Sequence, residues 1–188
     1  MSIAGGNAIY RAKRAASLVN PVTTAVVFKQ ADNSAYATYV SLPWMQSGDT
    51  NERFRIRAVG RATAAGAYSF VAKIQFNSDM SNPGQWASAL TITNNTDVGA
   101  GLTSATVSTA TRPWWLDLDL IWDSTSGRLA GRQSGLNSEV VGPVDTTITA
   151  LTGIDLTTGK CGFVVNAVFG TTNASNIAYL DDFVLEAI

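Results

Sequence analysis

A chain of 188 residues has room for one domain with a full core, and 46% hydrophobic content is ordinary for such a domain. Charged residues make up only 14%, well under the roughly 25% usual in soluble domains, and a net charge of −1 excludes the large basic excess of a nucleic-acid binder. Histidine is absent, which removes Ser-His-Asp and Cys-His nucleophile systems, imidazole bases and the common zinc sites together.

In chain order, residues 1–22 differ from the rest of the chain. Gly5-Gly6 is flexible, and Asn7 is placed to cap a short helix through Ala8 to Ala16, so the reading is an extended or short-helical N-terminal arm ended by Pro21. Arg11, Lys13 and Arg14 lie in it, with no acid before Asp32. That composition fits either a solvated terminus or an arm reaching a neighbouring subunit or an acidic surface. Three charges make a weak nucleic-acid contact. Met1 to Gly6 lacks a basic start followed by an apolar run, so synthesis and folding in a cytoplasm is the expectation. No apolar stretch approaches the roughly 18 residues of a membrane helix.

From residue 23 to 188 the pattern is one of strands and turns. Thr24 to Lys29 and Tyr36 to Leu42 flank a hairpin-like Ala31-Asp32-Asn33-Ser34. Glu52 to Ala62 alternates, with Phe54, Ile56 and Ala58 inward and Arg53, Arg55, Arg57 and Arg61 outward. Tyr68 to Phe76 repeats it with Phe70, Ala72, Ile74 and Phe76 inward, after a loose hairpin loop, Thr63 to Ala67. Residues 77–111 are mostly polar and form a candidate binding loop, with short strands at Leu90 to Thr93 and Ala105 to Ser108.

The stretch Arg112 to Leu129 is the strongest strand signal. Leu116, Leu118, Leu120 and Trp122 share one face; Trp115, Asp117, Asp119 and Ile121 share the other. Asp123 to Gly127 is a turn, and Arg128 opens the return strand. Further strands fall at Arg128 to Gln133, Glu139 to Val144, Cys161 to Phe169 and Tyr179 to Ala187. Cys161 is alone, which excludes an internal disulfide and fits a small buried hydrophobe. The sum is an all-β, antiparallel two-sheet β-sandwich of jelly-roll type at 23–188, preceded by the arm.

Three constellations are candidates for chemistry. Asp117 and Asp119 sit about 7 Å apart on one strand face, a spacing open to glycoside hydrolysis or cation binding. The Arg53, Arg55, Arg57 ladder has the same period, so cross-strand ion pairs are the stronger reading. Asp181 and Asp182 are adjacent and expected on opposite faces, so they do not chelate one ion as a simple pair. Their strand resembles the last strand of jelly-roll carbohydrate-binding modules, which implies a structural calcium as an option. Among the five tryptophans, Trp44, Trp86 and Trp114 lie in or beside loops, where a ring serves a subunit interface, the edge of the core or sugar stacking. Core packing is the default for Trp115 or Trp122.

The segment Trp115 to Asp123, followed by Ser126-Gly127-Arg128-Leu129-Ala130-Gly131, is similar to jelly-roll domains of tailed-phage head decoration and tail-associated proteins. The neutral Thr/Ser/Ala/Gly-rich composition and the N-terminal arm fit that resemblance. It implies a capsid decoration (cement) protein: a structural virion protein made in the host cytoplasm, not an enzyme and without a cofactor. Such a protein is a homotrimer on the capsid surface that clamps the major capsid protein. Tyr10, Arg11, Lys13, Arg14, Trp44 and Trp86 are then the candidate capsid or intersubunit contacts, with no catalytic and no metal-binding residue. The alternative is a carbohydrate-binding module of a phage head fibre or tail protein using the loop tryptophans. A hydrolase acting through Asp117 and Asp119 ranks last.

Overall fold

The computed structural model describes residues 9–12, 16–19, 26–27, 29–30, 38–39, 41–43, 51–77, 95–107, 109–137, 140–156, 162–171 and 173–188. Among these residues the regular structure is all strand. Six short strands come first: β1 (Ile9–Ala12), β2 (Ala16–Val19), β3 (Val26–Val27), β4 (Lys29–Gln30), β5 (Thr38–Tyr39) and β6 (Ser41–Pro43). The remaining strands are β7 (Asn51–Thr63), β8 (Tyr68–Asn77), β9 (Asn95–Asp97), β10 (Leu102–Val107), β11 (Arg112–Asp123), β12 (Arg128–Asn137), β13 (Val140–Leu151), β14 (Gly162–Phe169) and β15 (Ile177–Ala187).

They form two antiparallel sheets. The larger runs β13-β12-β11-β7-β15-β2-β4-β5, with β1 also on β15; the smaller runs β10-β8-β14-β3, with β6 also on β14 and β9 on β8. This is the expected two-sheet sandwich. The helical option for the N-terminal segment is corrected: Ile9–Ala12 and Ala16–Val19 are extended and pair with β15 at Phe183–Glu186 and Ile177–Leu180. A helix of nine residues is marginal in water, and a free strand edge outcompetes it by supplying backbone partners.

Period two decides what is buried. Phe54, Ile56, Ala58 and Ala62 of β7, with Trp114, Leu116, Leu118, Leu120 and Trp122 of β11, project from the larger sheet into the core. Phe70, Ala72, Ile74 and Phe76 of β8 and Phe163, Val165, Ala167 and Phe169 of β14 meet them from the smaller one. Two aromatic groups cross the gap. Phe54 lies 5.6 Å from Phe163, which is 5.7 Å from Phe76; Trp114 lies 6.0 Å from Phe70, which is 5.2 Å from Phe169. Trp114 is therefore a core residue, 1% exposed, rather than a loop residue. It shares the parity of Leu116, and that outranks its position after Pro113.

The Thr63 to Ala67 segment is not a hairpin. β7 and β8 lie in different sheets, so this segment is an arch that carries the chain across the core. The buried Asn176 holds it: the Ala65 N–H donates to Asn176 Oδ1 at 3.0 Å, while Asn176 Nδ2 donates to the Thr171 carbonyl at 2.7 Å. A second tie joins the sheets opposite. Gln133, fully buried on β12, accepts from the Gly101 N–H at 2.9 Å and donates to its carbonyl at 2.8 Å. Gly101 has φ +74, which a side chain resists.

The expected strand from Cys161 to Phe169 is present as β14 (Gly162–Phe169), with Cys161 itself outside the described residues, as is the expected strand at Leu90 to Thr93. Ala105 to Val107 of the expected Ala105 to Ser108 strand belong to β10 (Leu102–Val107), and Ser108 lies outside the described residues.

Candidate interaction face

Among the described residues, charge is concentrated on the outer face of the larger sheet. The side chains that alternate with the core point there, and the register sets them in rows across β12, β11, β7 and β15. One row is Leu136, Trp115, Val59 and Asp182; the next is Ser134, Asp117, Arg57 and Val184. The third is Arg132, Asp119, Arg55 and Glu186, and the fourth continues through Ala130, Ile121 and Arg53. β13 adds Asp145 beside Ser134 and Thr147 beside Arg132.

Ion pairs stitch these rows, Arg57 to Asp117 within one row and the others on diagonals. Arg53 donates to both Asp119 oxygens, at 3.2 and 2.8 Å. Arg57 donates twice to Asp117 Oδ2, at 3.2 and 2.7 Å, and Arg55 Nε stands 3.6 Å from Asp117 Oδ1. Arg132 reaches Asp145 at 2.7 Å. The expected cross-strand pairing of the β7 arginines with the β11 aspartates is thus present. Hydrogen bonds from Arg53, and its charge with that of Arg55, hold the Asp119 carboxyl below the usual carboxylate range against a smaller opposing effect of burial. The same pairing raises the Arg53 guanidinium.

Asp181 and Asp182 depart from expectation. The register of β15 against β7 slips between Leu180 and Asp182, and Asp181 is the extra residue of a β-bulge. Burial shows the slip: Ala178 and Leu180 are buried before it, Phe183 and Leu185 after it. Both aspartates consequently lie on the outer face rather than on opposite ones. Asp181 is engaged by Arg61 through two hydrogen bonds of 2.8 Å, and the Arg61 guanidinium also stacks 4.8 Å from the Tyr179 ring centre. The slip was visible in the sequence as apolar residues at 178 and 180 followed by 183 and 185. No group of three or more acidic or thiol ligands with metal-holding geometry occurs among the described residues.

A smaller polar cluster lies on the other sheet. Asp97 of β9 accepts from Lys73 and Gln75 of β8, and the following Val98 is buried with its N–H donating to the Ile74 carbonyl at 2.9 Å. Burial raises the Asp97 carboxyl, but the hydrogen bonds from Gln75 and Lys73 and the Lys73 charge outweigh it, and the net shift is downward.

Of the residues singled out from sequence as contacts, Tyr10 and Arg11 stand on β1, in register with Leu185 and Val184. Lys13, Arg14, Trp44 and Trp86 lie outside the described residues. Trp115 is half-buried on the outer face and Trp122 is buried, its Nε1 donating to the Ile154 carbonyl at 3.1 Å.

Neither a family model nor a curated protein matches the chain. Solved structures match its architecture. Lectin I from Ulex europaeus, in complex with the methyl glycoside of α-L-fucose, is 10% identical with a TM-score of 0.40, over 96% of this chain and 98% of that one. A protein of unknown function from Shewanella oneidensis is 8% identical with a TM-score of 0.45, over 100% and 80%. The winged bean acidic lectin, complexed with methyl-α-D-galactose, is 10% identical with a TM-score of 0.38, over 97% and 98%. At this level of similarity the likeness extends to the β-sandwich and no further.

Proposed function

We propose that this chain is a non-catalytic structural protein that works by docking, as a decoration protein on the head of a tailed phage. The observation that carries the first half is the state of the carboxylates. Asp117, Asp119 and Asp181, three of the four acids that the sequence offered for acid-base work or metal binding, are each engaged by arginine. Asp119, held ionised by Arg53, is a poor proton donor, and a carboxylate occupied by arginine is a poor free ligand. The second half rests on the resemblance of the β11–β12 segment and on the neutral composition. Few charges elsewhere let a subunit bury area without stranding ions.

The test is co-sedimentation with the empty heads of the phage that encodes the chain. Saturable binding is expected, weakened by replacing Arg11, Lys13 and Arg14 together with Ala. Substitution is a better probe than removing residues 1–22, because β1 and β2 cover the edge of β15 and deletion would strip that edge. No binding to heads would sink the reading.

A second reading, a carbohydrate-binding module of a head fibre or tail protein, has one observation in its favour. The Trp115 and Tyr179 rings are half-buried on the same outer face among carboxylates and guanidinium groups, the furniture of a sugar-stacking surface. It predicts retention on immobilised glycans, lost in Trp115→Ala if the outer face holds the sugar and in Trp44→Ala or Trp86→Ala if the loop tryptophans do. The Ulex and winged bean lectins hold sugars, but their likeness to this chain is one of architecture.

A further inference from the structure

Charge on the outer face of the larger sheet changes sign from strand to strand. β13 carries Asp145, β12 Arg132, β11 Asp117 and Asp119, β7 Arg53, Arg55, Arg57 and Arg61, and β15 Asp181, Asp182 and Glu186. The stripes are antisymmetric about the line between β7 and β11. Reflecting strand positions across that line lays β7 on β11 and β15 on β12, each time basic on acidic. A twofold axis along that line performs this reflection on a second copy facing the first.

From this antisymmetry we infer that the outer face of the larger sheet is a docking surface for a second copy of this chain, related by a twofold axis parallel to β7 and β11. The inference rests on the charge pattern and not on the decoration reading, and it departs from the homotrimer that the phage resemblance implies. In the pairing, Arg55 lies over the partner's Asp119 and Arg57 over the partner's Asp117. Glu186 lies over the partner's Arg132, and Trp115 over the partner's Val59. An isologous contact requires this kind of self-complementarity, and a random charge distribution does not supply it.

The geometry tolerates the crossing of packed sheets. Two sheets meet at about 30°, which displaces stripes by only about 2 Å at the two central rows, well within one strand spacing of about 4.8 Å. The five strands make a face of roughly 24 by 34 Å, on the order of 800 Å² per copy, the size of a standard specific interface. Access is open at Ile121, in the last of the four rows, which is 53% exposed, and at the Arg57 side chain, which is 51% exposed, while the Asp119 side chain is 34% and the Asp117 side chain 13% exposed. The internal ion pairs do not forbid docking. Each carboxylate would sit between its own guanidinium and the partner's, so the charges select the register while Trp115, Val59 and Ile121 supply apolar area.

The test is a reciprocal charge swap on the full chain, read by sedimentation equilibrium. The wild-type chain is expected to be a dimer; a monomer across the accessible concentration range, or the trimer that the phage resemblance implies, overturns the inference. One variant carries Arg55→Glu and Arg57→Glu, the other Asp117→Arg and Asp119→Arg. Each alone places like charges opposite each other and should dimerise at least about tenfold more weakly, whereas an equimolar mixture should restore a heterodimer. Lost folding cannot be repaired by mixing, so restoration identifies contact between chains, and its absence with both variants folded overturns the proposal. Should either variant fail to fold, Ile121→Arg decides. It changes an exposed side chain and sets a cation over the partner's Arg53, and an undiminished dimer would overturn the proposal.

Discussion

A methyl group at Gly60 has nowhere to go. A Cβ built there would stand 2.0 Å from the Tyr179 carbonyl oxygen and 2.4 Å from the Trp114 ring. Gly60 is opposite Trp114 in the β7–β11 register, so the missing side chain makes room for the indole to lie flat in the core. Gly60→Ala must therefore displace either the β15 backbone or the largest buried side chain, and we expect it to cost about 3 kcal/mol, the upper end of ordinary overpacking. Urea unfolding followed by far-UV circular dichroism reads this. A midpoint equal to wild type would show that Trp114 can move without loss. Gly153, around whose Cβ position nothing lies within 4 Å, is the control for space. Its φ of +71 still opposes a side chain, so Gly153→Ala should cost about 1 kcal/mol through the backbone alone.

At the scale of the element, Gln133 joins the two sheets. It sits where parity along β12 calls for an apolar residue, and it satisfies both backbone groups of Gly101 from the opposite side of the core. Gln133→Met keeps the volume but leaves a buried N–H and a buried carbonyl unpaired, which should cost about 2–4 kcal/mol. Amide exchange at Gly101 should rise by more than global unfolding explains, since the 98–101 turn loses its tie locally. Unchanged protection there would mean the turn is held by Val98 and the Asp97 cluster alone. A buried glutamine of this kind was not legible in the sequence, where polar residues on a strand read as outward. The long strands were legible because period two is local: Arg53 to Ala62, Tyr68 to Phe76 and Trp115 to Trp122 declared their faces, and the Asp117 and Asp119 pairing with the β7 arginines followed from matched periods. Which sheet each strand joins was not legible. Parity says that Ile56 and Ile74 both point inward, but not that they approach from opposite sides, so the Thr63 to Ala67 arch passed for a hairpin. The bulge at Asp181 was written in the spacing of Ala178, Leu180, Phe183 and Leu185, but only once a phase slip was considered.

At the scale of the whole molecule, the protein keeps its charge ordered rather than abundant, and this sets its response to acid. With no histidine in the chain, no imidazole titrates between pH 5 and 8, and stability should be flat across that range. Below it three carboxyls matter among the described residues. Asp119 is lowered chiefly by hydrogen bonds from Arg53, Asp97 by Gln75 and Lys73 against opposing burial, and Asp123 by the Ser126 hydroxyl and the Thr125 N–H in the β11–β12 turn. A carboxyl whose pKa is lower folded than unfolded releases its proton more readily in the native state, so it stabilises the fold at pH values above its unfolded pKa. That contribution is lost as pH falls through the interval between the two values, which opens near pH 4 and extends downward. Unfolding free energy measured in urea should therefore hold level from pH 8 to about 5 and decline below about 4. Asp119→Asn removes one of the three groups: it should lower stability at neutral pH, shallow the acid slope, and converge with wild type once Asp119 is protonated in both native and unfolded wild-type chains. Parallel curves for the two proteins would show that the Arg53 pair, in solution, does not hold Asp119 below its unfolded pKa. They would also remove the ordered charge from the account of stability, leaving docking as its remaining role.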